Sequence, residues 1–216
     1  RAELDLLQSQ HNVGLLARRN EDLRPRLSAA ARMAWSPRLT EEVEQELERF
    51  RPDVVHLHNA YPALGPAVHL AAGRRRIPVV MTVHNQRLRC PNGLQFTGHS
   101  RCRRCESGVY SHAVIHSCFP TRTQASAYAV SLWLHRFALR LEDRIELFIA
   151  PSNFMRARLL EWGITAGRVV TVRHFIEPRP DASTDVGSYG LYLGRLSAEK
   201  GLCELLQALQ LIGDPH

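Results

Sequence analysis

Lysine is all but absent: of the 28 basic residues only Lys200 is a lysine, and the other 27 are arginines. The chain opens at Arg1 instead of a methionine, and no short apolar stretch with a small-residue cleavage site follows, so neither a natural start nor a secretory leader is read there. Apolar runs are short. The greasiest, Ala125 to Leu134, is cut off by His135 and Arg136 well before the ~18 residues a membrane-spanning helix needs. Internal repeats and low-complexity tracts are missing as well, which sets aside solenoids and compositional linkers.

What is present suffices for a buried core. With 44% apolar residues in 216, a globular chain of one to one and a half domains is expected. The formal charge of +7 suits phosphate-rich or anionic partners, such as nucleotide diphosphates, lipid headgroups and nucleic acid, without choosing among them. Solvated arginine faces would account for the same excess.

Pro52 precedes a short β-branched run, Asp53 to His58, that reads as a buried strand ending in a loop. Residues 64–74 carry a helical period, and Pro78 then introduces a second strand, Val79 to His84. Strand, helix and strand within about thirty residues make a parallel crossover unit. Leu147–Ala150 and Val169–Val172 repeat the pattern, with a helix from Asn153 to Trp162 started by Pro151 and Ser152 and stopped by Gly163. The predicted class is α/β, with a doubly wound parallel sheet. Two further amphipathic helices are predicted: Leu39 to Phe50, and a long one from Gln124 to Glu146 with Ala127, Val130, Leu134, Phe137, Leu141 and Ile145 on its apolar face. The Pro- and Ser-rich segment 177–187 has no period and separates these elements from a new strand, Tyr189 to Leu193, and a helix, Leu202 to Ile212. The expected organisation is a domain over 1–178 with a cysteine-bearing insertion at 86–120, a linker at 179–188 and the beginning of a second domain at 189–216.

Ligands of a parallel sheet sit outside the carboxyl ends of its strands, so His58, His84 and Asn85 are candidates to line a cleft. The competing reading is a set of polar residues capping the sheet edge. The loop Gly194 to Gly201 lies between a predicted strand and a helix and carries Arg195 and Lys200 beside two glycines. That is the build of a diphosphate site, where glycines admit the backbone and cations offset charge, although the spacing is neither that of a Walker loop nor of the dinucleotide fingerprint. Cys90, Cys102, Cys105 and Cys118 fall within one insertion, at spacings that could supply four thiolates to a structural zinc ion, while Cys203 stands apart. His84, His99, His112 and His116 are near enough in sequence to replace a cysteine, and free or redox-active thiols are the alternative. Arg87, Arg89, Arg101, Arg103 and Arg104 surround this segment.

Four motifs in order, Arg51-Pro-Asp-Val-Val-His-Leu-His58, Thr82-Val-His-Asn85 leading to Cys90-Pro91, Ala150-Pro-Ser-Asn-Phe154 and Tyr192-Leu-Gly-Arg-Leu-Ser-Ala-Glu-Lys-Gly201, resemble glycosyltransferase family four, a retaining family of GT-B architecture. The resemblance runs from about Arg51 to Ile212. It implies two Rossmann-like domains, the first on the acceptor side and the second binding the nucleotide sugar, with truncation at both ends, so that this stretch alone is not expected to be a competent catalyst. It also implies sugar transfer from a nucleotide-diphosphate sugar to the hydroxyl of a carbohydrate, lipid-linked or small-molecule acceptor, with retention of configuration and no catalytic metal. Gly194, Arg195, Lys200 and Gly201 match the donor-diphosphate site, and His84 the catalytic histidine of the interdomain cleft. Ser152, Asn153 and His174 would line that cleft. Arg173 to Pro178 departs from the Asn-Gly-Val-Asp that the family more often carries. Kinship places such a protein in the cytoplasm or at the inner face of the membrane, where Trp35, Trp133 and Trp162 would permit peripheral contact, and no nucleic-acid partner is expected. The rival classes are a zinc-stabilised nucleic-acid-binding module built on the cysteine segment, and an epimerase or phosphorylase on the same architecture.

Overall fold

The computed structural model describes residues 2–18, 33–97, 100–176 and 189–212. The segment 177–187, the linker 179–188 and His99 lie outside the described residues. Four parallel strands form the main sheet: β1 (Val55–His58), β2 (Val79–Thr82), β5 (Leu147–Ala150) and β6 (Val169–Thr171), hydrogen-bonded in that order. A two-stranded antiparallel pair, β3 (Phe96–Thr97) and β4 (Ser100–Arg101), stands apart from it. Among the described residues the α-helices are α1 (Ala2–Gln8), α2 (Pro37–Phe50), α3 (Ala67–Arg75), α4 (His112–Ile115), α5 (Arg122–Trp133), α6 (Asn153–Glu161) and α7 (Leu202–Ile212). The α/β class and the Rossmann-like parallel sheet are therefore as the strand and helix alternation predicts.

The core explains why these short strands hold. Leu57, Val79, Phe148, Ala150 and Val169 point inward from the sheet and meet Val68, Ala71 and Ala72 of α3 and Met155 and Leu159 of α6. The alanines of α3 are completely buried, so this helix lies close against its neighbours. Helix α2 starts where its sequence says it should. Ser36 accepts the Leu39 amide at 3.3 Å, Pro37 occupies the first turn, and Val43 is buried in the core. Gly163, at φ +87°, ends the turn after α6 in a conformation that costs a side-chain-bearing residue more.

Two predicted elements differ. The long helix from Gln124 to Glu146 is α only to Trp133, passes through a π-helical turn at Leu134–Ala138 and becomes a 3-10 turn at Leu141–Arg144. Of its predicted apolar face, Leu141 and Ile145 are buried as expected, but Val130 and Phe137 are exposed, and over the first part of the segment Ala125, Ala129, Ser131 and His135 are buried instead. The extra residue per turn lets His135 turn inward, where its Nε2 lies 3.0 Å from the Ala34 carbonyl. No strand forms over 189–193 in the described residues, because no neighbouring strand there completes a ladder for its N–H and C=O groups. Helix α7 forms as predicted, and its Leu206, Leu211 and Ile212 are exposed.

The cysteine-bearing insertion is docked by charge. Arg89, 3% exposed, grips both carboxylate oxygens of Glu142, donates to the Trp162 carbonyl at 2.9 Å and lies over the Trp162 ring. Arg158, reaching from α6, pairs with Glu106 and Glu161 and donates to Gln95 Oε1 at 2.9 Å. Trp162 Nε1 donates to Glu106 at 3.3 Å, so its ring is held between two guanidinium groups. That leaves Trp35 and Trp133, each about half exposed, as the two tryptophans free to meet another surface. No described helix is long and apolar enough to cross a membrane.

Removing one partner of a buried ion pair leaves the other charged and desolvated. Glu142→Ala is therefore expected to cost about 3–5 kcal/mol in urea unfolding. A loss below about 1 kcal/mol would show Arg89 to be solvated like a surface residue.

Candidate functional site

Parallel pairing sets the site. His58 is in register with Thr82, and Thr82 with Ile149, so the carboxyl ends of the central strands align at one edge of the sheet. The chain stays extended beyond β2, where the Val83 amide donates to the Ile149 carbonyl at 2.9 Å, and His84 therefore projects at that edge although the strand itself stops at Thr82. Val172 likewise donates to the Ala150 carbonyl at 3.0 Å and carries β6 toward His174.

The result is an array of imidazoles. His58 Nδ1 and His84 Nε2 share a hydrogen bond of 2.9 Å, and the His84 and His174 rings stack with centroids 5.1 Å apart and planes 7° from parallel. His56 joins on the other side, its ring centroid 4.1 Å from that of His58 and its Nε2 bonded to Thr82 Oγ1 at 2.8 Å. Glu3 of α1 brings a carboxylate to 3.4 Å from His56 Nδ1 and 3.6 Å from His58 Nε2, at ion-pair range. These three groups are the one set of three ligand-type atoms within 4.8 Å of one another among the described residues.

Burial, first of all, holds the pKa values of His56, His58 and His84 below the ordinary 6.5, and neighbouring imidazoles push in the same direction. Glu3 opposes them at all three rings. His56, His58 and His84 are thus mainly neutral near pH 7, each ring keeping one N–H donor and one lone pair. Such rings can donate to a hydroxyl or phosphate oxygen without adding fixed positive charge.

Of the residues singled out in the sequence, His58, His84 and His174 are brought together. Asn85 points its amide at Asn59, with Nδ2 3.2 Å from Oδ1, and its own carbonyl oxygen accepts the Arg87 amide at 3.0 Å. Ser152 is the N-cap of α6, its hydroxyl accepting the Met155 amide at 3.1 Å, and Asn153 is exposed beside it. Glu3 and His56 were not among the predicted site residues. The spacing of His56 and His58 is the signal that could have found the second, since alternate residues of a strand share a face. Nothing local marks Glu3, which reaches the array from a distant helix.

In the loop 194–201, Arg195 Nη2 donates to Glu199 at 3.2 Å, and Lys200 is exposed near the same carboxylate, whose pKa is lowered by backbone and Ser197 hydrogen bonds and then by both cations. Gly201, at φ +68°, joins a short 3-10 turn (Ala198–Lys200) to α7. Beyond Asn59 and Asn85, a mainly apolar cavity of about 80 Å³ is lined by Tyr61, His69, Met81, Arg87, Leu88 and His135. Cys90, Cys102, Cys105 and Cys118 are all free thiols and line one further cavity, and burial, above all, pushes the Cys105 thiol up to about 12.

The sequence profile of Glycosyltransferase Family 4 matches residues 5–179. The chain belongs to glycosyltransferase family 4. The matched span contains the parallel sheet, the histidine array and the cysteine-bearing insertion, so in this family member the imidazoles at the sheet edge are part of the family domain. No curated protein and no solved structure matches the chain. Glycosyltransferase activity implies a sugar donor and an acceptor.

A depressed histidine pKa in the fold means that the unfolded chain takes up its proton first. The stability these neutral rings contribute is complete above about pH 6.5 and is lost as pH falls through their depressed values. Glu3→Gln is expected to lower the pKa of His56, His58 and His84 further, by removing the one raising influence common to all three. NMR titration of the imidazole protons checks this, and unchanged values would detach Glu3 from the array.

Proposed function

We propose that this family 4 glycosyltransferase transfers a sugar from a nucleotide-diphosphate donor to an acceptor hydroxyl with retention of configuration, over the histidine array at the carboxyl edge of its sheet. The observation that carries the proposal is the contact chain His58–His84–His174, three imidazoles from three strand ends, in a domain of this family. Residues 1–178 are assigned to the acceptor side and 189–216 to the donor side.

His84 is the catalytic residue in this reading. Its Nε2 is engaged by His58, which orients the ring, and the remaining nitrogen is assigned to the reacting sugar. Arg195 and Lys200, with Gly194 and Gly201 admitting close backbone approach, hold the diphosphate. As the bond from the anomeric carbon to the diphosphate breaks, its electron pair leaves with the phosphate oxygen, and two cations there favour the transition state over the ground state. The acceptor oxygen bonds to the same face of the anomeric carbon, and its proton passes to the departing phosphate. Donor binding would require Arg195 to exchange its Glu199 partner for phosphate oxygens. The apolar cavity beyond Asn59 and Asn85 suits the non-sugar portion of an acceptor, with Arg87 at its wall.

A nucleic-acid-binding role finds less support. Arg89 and Arg103 of the insertion are paired with Glu142, Glu106 and Glu161, which leaves fewer cations to neutralise a phosphate backbone.

The test is transfer or donor hydrolysis measured with UDP-glucose, UDP-galactose and GDP-mannose, the product anomer being assigned by NMR. Arg195→Ala and Lys200→Ala are each expected to lower turnover by roughly 10²–10³-fold, as for loss of one charge-stabilising donor, with an unchanged circular dichroism spectrum. His84→Ala is expected to lose at least about 10²-fold. Full turnover in either cation variant would remove the diphosphate assignment, and an inverted product would remove retention.

A further inference from the structure

The transfer reading makes no use of the four cysteines of the insertion, which are separated by as many as 28 positions in sequence yet meet at one cavity. We propose that Cys90, Cys102, Cys105 and Cys118 bind a single zinc ion through four thiolates, closing the insertion as a structural clamp beside the histidine array.

Each thiol is presented by a turn or loop end. Cys90 opens the turn Cys90-Pro91-Asn92-Gly93, in which the Gly93 amide donates to the Cys90 carbonyl at 2.9 Å and Gly93 sits at φ +78°. Cys102 leaves the β3–β4 pair with its amide donating to the Gln95 carbonyl at 2.8 Å. Cys105 lies in the following turn, three residues on, and is buried. Cys118 ends the α4 segment, its amide bonded to the Ala113 carbonyl at 3.0 Å. Two turns and two loop ends that bring cysteines to one cavity are the usual construction of a tetrahedral thiolate site, and thiolates select zinc-class ions.

The cavity between them is about 10 Å³, room for one ion or water and too little for an organic ligand. His112 also lines it, and its Nδ1 is buried without a hydrogen-bond partner, so the wall contains an unsatisfied polar atom as well as the thiols. Arg104 Nη1 lies 3.4 Å from Cys102 Sγ, and a guanidinium there offsets the double negative charge of a zinc tetrathiolate. No three of these sulfurs lie within 4.8 Å of one another, so the ion must draw the side chains to the ~3.8 Å separations set by 2.3 Å bonds, each thiol giving its proton to solvent. Side chains on turns can make that movement without breaking the sheet.

The insertion also needs such a staple. Among the described residues its apolar burial is small: Cys105 and Tyr110 cluster with Ala129, Leu132 packing against them, Leu88 reaches the main core, Cys90 and Ala113 are buried, and its regular structure is two-residue strands and one helical turn. So small a core holds a segment of this length poorly without a cross-link or a metal. The insertion begins directly after His84 and Asn85, and its first turn bonds back to that stretch, the Gln86 amide donating to the Gly93 carbonyl at 3.0 Å.

Elemental analysis of the purified full chain, without added metal, is expected to find one zinc per molecule, and cobalt(II) exchange to give the visible bands of a tetrahedral thiolate complex. Cys102→Ser with Cys105→Ser should reduce zinc to background and lower Tm, while Cys203→Ser, on the exposed helix α7, should retain it. Should the double variant fail to fold, the wild-type metal content and cobalt spectrum decide alone. Metal-free wild-type protein, with all five thiols alkylatable or with a disulfide detected by intact mass, would overturn the site. These readouts do not involve sugar transfer, so the zinc proposal and the proposed activity stand or fall separately.

Discussion

The in-register parallel pairing of β1 with β2 is the constraint on which the rest depends. It sets His58 opposite Thr82, and one extended residue beyond that strand delivers His84 to within hydrogen-bond distance of His58. A parallel ladder puts all its carboxyl ends on one side, so His174 after β6 arrives at the same edge by the same rule. A slip of one residue in β1 would turn both His56 and His58 toward the opposite face and bring Leu57 out of the core. Burial of Leu57, Val79 and Phe148 thus protects the register, and the register assembles the imidazoles.

A second constraint acts on the insertion. It has little apolar surface to bury, and it is fastened to the sheet domain by Arg89–Glu142 and by the Arg158, Glu106 and Trp162 cluster. Such buried pairs are poor sources of net stability compared with apolar packing, but they are directional, and breaking one partner is costly. They fix where the insertion lies in relation to α6 and the turn before β5. Both arginines share Trp162, which joins the two clamps across one indole ring.

Period and punctuation made most of the sheet domain legible in the sequence. The β-branched runs after Pro52 and Pro78, the Ser152 cap and the Gly163 stop each act over a few residues, and each appears in the fold within one or two positions of its predicted place. The segment 124–146 was less legible. Its apolar residues fit a continuous helix, and Leu141 and Ile145 are buried as they predict, yet over the α-helical part the buried face is made of alanines and serine, because the helix packs closely on Tyr110 and Cys105 and then changes winding to bury His135. Small residues carry little hydrophobic signal, so a rotation of that face cannot be read from hydropathy. The strand predicted at 189–193 depended on neighbours as much as on its own residues, and a lone extended segment does not satisfy its backbone.

The sequence by itself determined the parallel α/β class, the family and the strand-end positions of His58 and His84, because these rest on local period, turn chemistry and motif order. Only the tertiary structure decided which groups touch: that Glu3 reaches His56 and His58, that His174 stacks on His84, and that Arg89 and Arg158 share Trp162. Apart from Arg158 and Trp162, which are neighbours in the chain, those contacts join residues dozens of positions apart through three-dimensional packing, and no local pattern in the chain records the direction in which a distant side chain points.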